Sequence, residues 1–140
     1  MKSKLQRNCL ILSAVSYAIV IYGLCVLCSC AGWKPNHWTK ADTAREAAFL
    51  TVLAVDYGQT ADIVDSPEYY ELNPILGRDP SIQQVRWYFA GCAIGHYCVA
   101  RIAPTDFHGL NLRKWWQHIW IVIEGGQVWK NASIGIGWRF

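Results

Sequence analysis

Residues 39–64 read TKADTAREAAFLTVLAVDYGQTADIV, and this stretch decides the fold. Thr39 followed three residues later by Asp42 resembles a capping box, in which each side chain satisfies a backbone N–H of the other. Glu46, Ala47, Ala48, Leu50 and Leu53 are strong helix formers. Ala48, Val52, Asp56, Gln59 and Ile63 share one face at 3.6-residue spacing. That face is apolar at its ends and polar in its middle. Asp65-Ser66-Pro67 ends the helix, because a residue before proline is pushed out of the α region. The stretch predicts a long helix whose buried face carries polar groups.

Working toward the C-terminus, Asp65 to Asp79 form an acidic connection, with SPEYYELNPILGRD at 66–79. Within it Asn73-Pro74 reads as an N-cap with proline at the first helical position, and Gly77 as the stop. Asp79-Pro80 repeats that grammar and predicts the start of a second helix, running to Ala103 before Pro104. Its stripe is Ile82, Val85, Phe89, Cys92, His96, Val99 and Ala103, which places His96 on the core side. A loop at 104–111 leads to a third helix, capped by Asn111 and running from Leu112 to about Lys130. Trp116, Trp120, Glu124, Gln127 or Val128, and Asn131 share its face. Gly125-Gly126 in mid-helix costs about 1 kcal/mol per residue against alanine, which predicts close helix–helix approach there. Gly91 and Gly95 form a small-residue pattern of the kind used in helix packing. Ile134, Ile136, Trp138 and Phe140 alternate in the tail and predict a short extended end.

Working toward the N-terminus, residues 1–8 carry Lys2, Lys4 and Arg7 without an acid, and residues 9–30 carry no charge at all. A basic start followed by an apolar run is the layout of a secretory signal or a membrane anchor. The run has 22 residues, enough to span a bilayer. Its end, Leu27-Cys28-Ser29-Cys30, resembles the bacterial lipobox, which implies a signal peptide at 1–29 and a lipidated Cys30. In such lipoproteins the cysteine thiol takes a diacylglycerol, and Ala31 at the following position implies sorting to the outer membrane. Residues 30–38 are then the lipidated cysteine and a tether, with Trp33 and Trp38 suited to the headgroup level. Residues 39–140 are the helical, membrane-associated domain. The architecture expected is all-α: a small three-to-four-helix bundle with an N-terminal signal or anchor helix and a short extended C-terminal tail.

Charge and cysteine content change meaning once they are located. Thirteen basic against ten acidic side chains give +3 over 140 residues. Beyond Cys30 the count is ten against ten, so the whole excess belongs to the signal. No clustered basic face is left to bind nucleic acid. Six cysteines fall to Cys30, Cys92 and Cys98 in the processed chain. Cys92 and Cys98 are about 240° apart around one helix, so they cannot bridge each other. Further crossings of the membrane are tested by length. Uncharged runs of thirteen residues at 87–99 and nine at 47–55 fall short of the roughly 20 that a span needs. A polytopic arrangement would also place basic residues outside, against the positive-inside rule. The polytopic protein with an uncleaved N-terminal helix is therefore the second topology.

The informative residues are polar groups on faces that should be buried: Asp56, Gln59, Thr60, Glu71, Asn73, His96, Glu124 and Asn131. A carboxylate within Ile119-Trp-Ile-Val-Ile-Glu124 is expensive to bury unless paired. One reading is a buried hydrogen-bond network that fixes helix register, which must be fully satisfied. A second is an acid–base pair of His96 with Glu71 or Glu124, the basis of a membrane-facing hydrolase. A third is a metal site from Asp56, Glu71, His96 and Glu124, but neither HExxH nor a Cys/His spacing is present, so no metal and no cofactor are expected.

Asp56-Tyr-Gly-Gln59-Thr60-Ala-Asp-Ile63, then Glu71-Leu-Asn73-Pro74-Ile-Leu-Gly77, resembles small uncharacterised helical lipoproteins or membrane proteins of bacteria and phages. The resemblance spans about 90 residues with Pro80, His96, Trp116-Gln117, Glu124 and Asn131, and implies that the polar residues named above act as one set without implying an activity. The sequence thus points to a lipid-anchored envelope protein on the periplasmic side, structural or interacting in role. If phage-borne, its place would be in modifying the host envelope. The membrane is the expected partner, beside an envelope protein that the sequence does not specify.

Overall fold

The computed structural model describes residues 37–138; the expected signal, Cys30 and the tether as far as residue 36 lie outside them, as do residues 139 and 140. The described chain is all-α. It comprises α1 (Lys40–Asp65), α2 (Ile82–Ile102) and α3 (Leu112–Ser133), with no β-strand among the described residues. α1 packs against both other helices, most extensively against α3.

Each helix begins where its chemistry dictates. At α1 the Thr39 hydroxyl accepts from the Asp42 N–H at 3.1 Å, and Asp42 Oδ2 accepts from the Thr39 N–H at 2.9 Å. This is the reciprocal pair expected from the sequence. At α3 the Asn111 side chain accepts from the Lys114 N–H at 2.8 Å. The start of α2 is a correction. Ser81, rather than Asp79-Pro80, is its cap, because Ser81 Oγ accepts from the Gln84 N–H while Gln84 Oε1 accepts from the Ser81 N–H at 2.8 Å. The Ser-x-x-Gln pattern at 81–84 carried that signal.

The connection between α1 and α2 is held by its own side chains. Asn73 Oδ1 accepts from the Ile75 N–H at 3.0 Å, the Asn73 carbonyl accepts from the Gly77 N–H at 3.0 Å, and Glu71 Oε1 accepts from the Asn73 N–H at 2.7 Å. Gly77 sits at φ 79°, where a side chain would be strained. The E-x-N-P-x-x-G string is therefore first of all a turn.

At its C-terminus α3 is closed by Ile134–Ile136; residues 139 and 140 of the expected extended tail lie outside the described residues. The Gly135 N–H donates to the Ala132 carbonyl and the Ile136 N–H to the Asn131 carbonyl, both at 3.1 Å, with Gly135 at φ 87°. This is a Schellman cap, and it buries Ile136. Alternation of two isoleucines around a glycine fits a cap as well as a strand.

The apolar core is small: Phe49 and Leu53 from α1 meet Val85 and Phe89 from α2, ringed by Tyr57, Leu76, Cys92 and Trp120. Helix packing does not account for the mid-helix glycines. A Cβ at Gly125 would meet Val52 Cγ1 at an ordinary 3.9 Å, and at Gly91, Gly95 and Gly126 it would meet nothing within 4 Å. The structure gives no steric reason for these four glycines.

Two polar clusters and a cavity

The polar residues singled out from the sequence do not form one set. Six of them line one cavity, His96 belongs to a separate network, and Gln59 joins neither.

The first group, around His96, lies at the N-terminal end of α1. α1 turns Asp42, Glu46, Phe49 and Leu53 inward; Ala48 on the expected face is exposed. From α3, Arg113 and Gln117 are both fully buried. The Arg113 guanidinium donates to the Ala100 carbonyl at 2.9 Å, the His37 carbonyl at 3.1 Å and Asp42 Oδ2 at 3.3 Å. Arg45 also bonds Asp42, and its Nε donates to Gln117 Oε1 at 2.8 Å. Gln117 Nε2 donates to Glu46 Oε2 at 3.0 Å and to the Asp42 carbonyl at 3.1 Å. Glu46 Oε1 in turn meets His96 Nδ1 at 2.9 Å. The His96 ring is stacked on Phe49 with centroids 3.6 Å apart, and Trp116 lies over it at 5.6 Å. Trp38 covers this end, with the Arg101 and Arg113 guanidinium carbons 5.0 and 5.3 Å from its ring centroid.

This network is satisfied almost throughout; the exception is His96 Nε2, which is buried without a partner. Burial works to raise the Asp42 pKa, but hydrogen bonds from Thr39, Arg45 and Arg113 outweigh it and hold the carboxyl below its usual range. Burial lowers the His96 pKa despite the Glu46 carboxylate, so the ring is neutral around pH 7. The pairing of His96 with Glu71 or Glu124 expected from the sequence is replaced by pairing with Glu46. Glu46 lies about 200° around α1 from Ala48 of the expected face, so only the true packing of the helix's first half brings it to His96.

The second group surrounds a partly open cavity of about 560 Å³ between α1, α2, α3 and the connection. Asp56, Thr60, Glu71, Asn73, Glu124 and Asn131 line it; Gln59 and His96 do not. Gln59 is buried, and its Nε2 donates to the Val128 carbonyl at 3.2 Å while its Oε1 finds no partner. Asp56 is only 8% exposed and accepts one hydrogen bond, from Asn131 Nδ2 at 3.3 Å. No ion pair reaches Asp56 or Glu124 among the described residues. Burial, reinforced by the charges of Glu124 and Glu71, pushes the Asp56 carboxyl up to about 7. Burial raises Glu124 as well. Three or more metal-ligating side chains do not converge anywhere among the described residues.

No protein-family model, no curated protein and no solved structure matches the chain. The site is therefore read from its own geometry.

Proposed function

We propose that this protein is a lipid-anchored envelope protein whose helical domain lies against the membrane and serves a structural or interaction role. The observation that carries the reading is an inverted distribution of side chains. Of the five largest fully buried side chains, three are polar: Arg113, Gln59 and Gln117. Meanwhile Trp129 is 77% exposed, Val122 73% and Trp87 72%. A buried polar group and an exposed apolar patch are the informative departures from ordinary burial.

The exposed apolar residues are ordered. On α3, Trp115, Ile119, Val122, Gly126 and Trp129 are exposed and follow one another at steps of four, three, four and three. That is one stripe of a helix, with tryptophan at both ends. On α2, Trp87, Gly91, Ile94 and Cys98 repeat the same steps and are also exposed. Stripes of this kind suit helices lying at the acyl–headgroup boundary. No described helix is long and apolar enough to cross a membrane. The lipobox-like end of the apolar run at 9–30 supplies the anchor, because the two acyl chains of a diacylglycerol hold a chain stably at a membrane. The stripes on α2 and α3 then lay the domain along the surface.

The test is metabolic palmitate labelling with membrane fractionation of the wild-type chain and Cys30→Ala. Labelled wild type in the membrane fraction and an unprocessed, unlabelled Cys30→Ala precursor are expected. Normal processing of Cys30→Ala would overturn the lipid anchor.

A further inference from the structure

The cavity beside Asp56 is not explained by membrane attachment. It is larger than the gaps a packed core leaves, and it falls within the size range of small-molecule sites. Its walls divide by chemistry. Tyr88 and Phe89 of α2 and Trp120 of α3 give it aromatic surface, and Ile123 and Leu76 extend the apolar part. Asp56 and Glu124 face the same space. Asp56 is more than nine-tenths buried, with one amide donor and no cation. A carboxylate held in that way either keeps a proton or meets a positive charge.

The remaining charged groups favour a cation. Glu68 and Glu71 from the connection add negative charge, and Lys130 at the end of α3 is the one basic side chain in the lining. Tyr88 and Cys92 are the titratable groups that α2 turns toward Asp56, and burial raises Cys92 so that it stays a neutral thiol. An inorganic divalent ion is disfavoured, because no three His, Cys, Asp or Glu side chains converge to hold one among the described residues. Aromatic faces beside carboxylates suit an ammonium group, which is attracted by the ring quadrupoles as well as by the charge.

We propose that this cavity binds an organic monocation, with its protonated or quaternary amine at Asp56 and Glu124 and its apolar body against Tyr88, Phe89 and Trp120. The proposal stands apart from membrane attachment, since it is measured on solubilised full-length chain and does not depend on where the domain rests. A bound cation takes the place of the proton on Asp56, so binding near neutral pH releases protons.

The probe is phenyltrimethylammonium, compared with its neutral isostere tert-butylbenzene, each titrated into the full-length chain in detergent and read against protein-free micelles. Saturable binding of phenyltrimethylammonium at pH 8 is expected, at least tenfold tighter than the isostere. It should weaken at least tenfold at pH 5, and to a similar extent in Asp56→Asn with wild-type helical circular dichroism. Equal binding of the two probes, or none above micelles for phenyltrimethylammonium, overturns the proposal. So does unchanged affinity in a folded Asp56→Asn. If that variant does not fold, the comparison of the two probes at pH 8 and pH 5 on wild type decides.

Discussion

The two polar clusters meet the same physical problem and answer it differently. Around Asp42 and Glu46, every carboxylate has a guanidinium, amide or imidazole against it. Around Asp56 and Glu124, carboxyls share a cavity without an ion pair among the described residues. Burying a charge is tolerable when it is paired and hydrogen-bonded. The first cluster satisfies that condition internally, which marks it as architecture. The second leaves it open, which marks it as the place where something from outside can complete the structure.

The largest expected effect breaks the paired side. Arg113→Ala leaves the Ala100 carbonyl without its buried donor and takes one of two guanidinium partners from Asp42, for a cost of up to about 3–5 kcal/mol. Chemical denaturation followed by circular dichroism should show that loss, and a change below about 1 kcal/mol would deny the network its structural role.

The next effect separates the clusters by pH. The Asp56 carboxyl is raised from 3.8 to about 7 in the folded chain. The unfolded chain loses that proton first, so the Asp56 contribution to stability is greatest below pH 3.8 and declines as pH rises to about 7. The decline is at most on the order of 4 kcal/mol. Asp56→Asn should flatten this limb to the part that Glu124 contributes, so that the variant matches wild type near pH 4 and melts higher at pH 8. His96 has the opposite sign. Its pKa is lowered from 6.5, so its contribution is present above pH 6.5 and is lost as pH falls below it. His96→Gln should flatten that acid limb, and at pH 8 it should lose about 1–3 kcal/mol for the disturbed bond to Glu46. Thermal melts from pH 4 to pH 8 check both variants. If both altered the same limb, the distinction between the clusters would fail.

A smaller effect sharpens the paired side. Thr39→Ala removes the α1 cap and one support of Asp42, for about 1–2 kcal/mol. Ser81→Ala removes only the α2 cap, for about 0.5–1 kcal/mol. Comparative melts should show the larger loss at Thr39, because only there does the cap carboxylate also hold Arg113 and Arg45.

Much of this could be read from the residues themselves. Thr39/Asp42, Asn111 and the Asn73-Pro74 turn announce their helices and turn through local hydrogen-bond chemistry, which depends only on neighbours. The core side of α2 followed from spacing, and His96 was placed on it correctly. On α1 the expected face is buried at Asp56, Gln59 and Ile63, and what escaped was its first half, where Asp42, Glu46 and Phe49 turn inward in place of Ala48. A helix that turns alanines outward and a Glu and an Asp inward offers no amphipathic contrast to read, so Glu46 passed as a mere helix former. Arg113 escaped for a related reason: its partner Asp42 lies 71 residues away, and nothing local distinguishes a buried arginine from a solvated one. Gln117 stood out only as part of the resemblance, without a partner to give it a role. The cavity residues were recognised as polar groups on buried faces. That Gln59 and His96 do not join them is a matter of tertiary geometry.

The most direct test of the account concerns the outward-facing stripes. The photo-crosslinking residue p-benzoylphenylalanine placed at Val122, which is 73% exposed on α3, is illuminated in native membranes and its adducts are identified by mass spectrometry. Placement at Glu68, an exposed polar position on the connection, serves as the reference. Adducts to lipid acyl chains at 122 and none at 68 are predicted. An absence of lipid adducts at 122, in chain that fractionates and folds as wild type, would contradict a domain resting with its apolar face on the membrane.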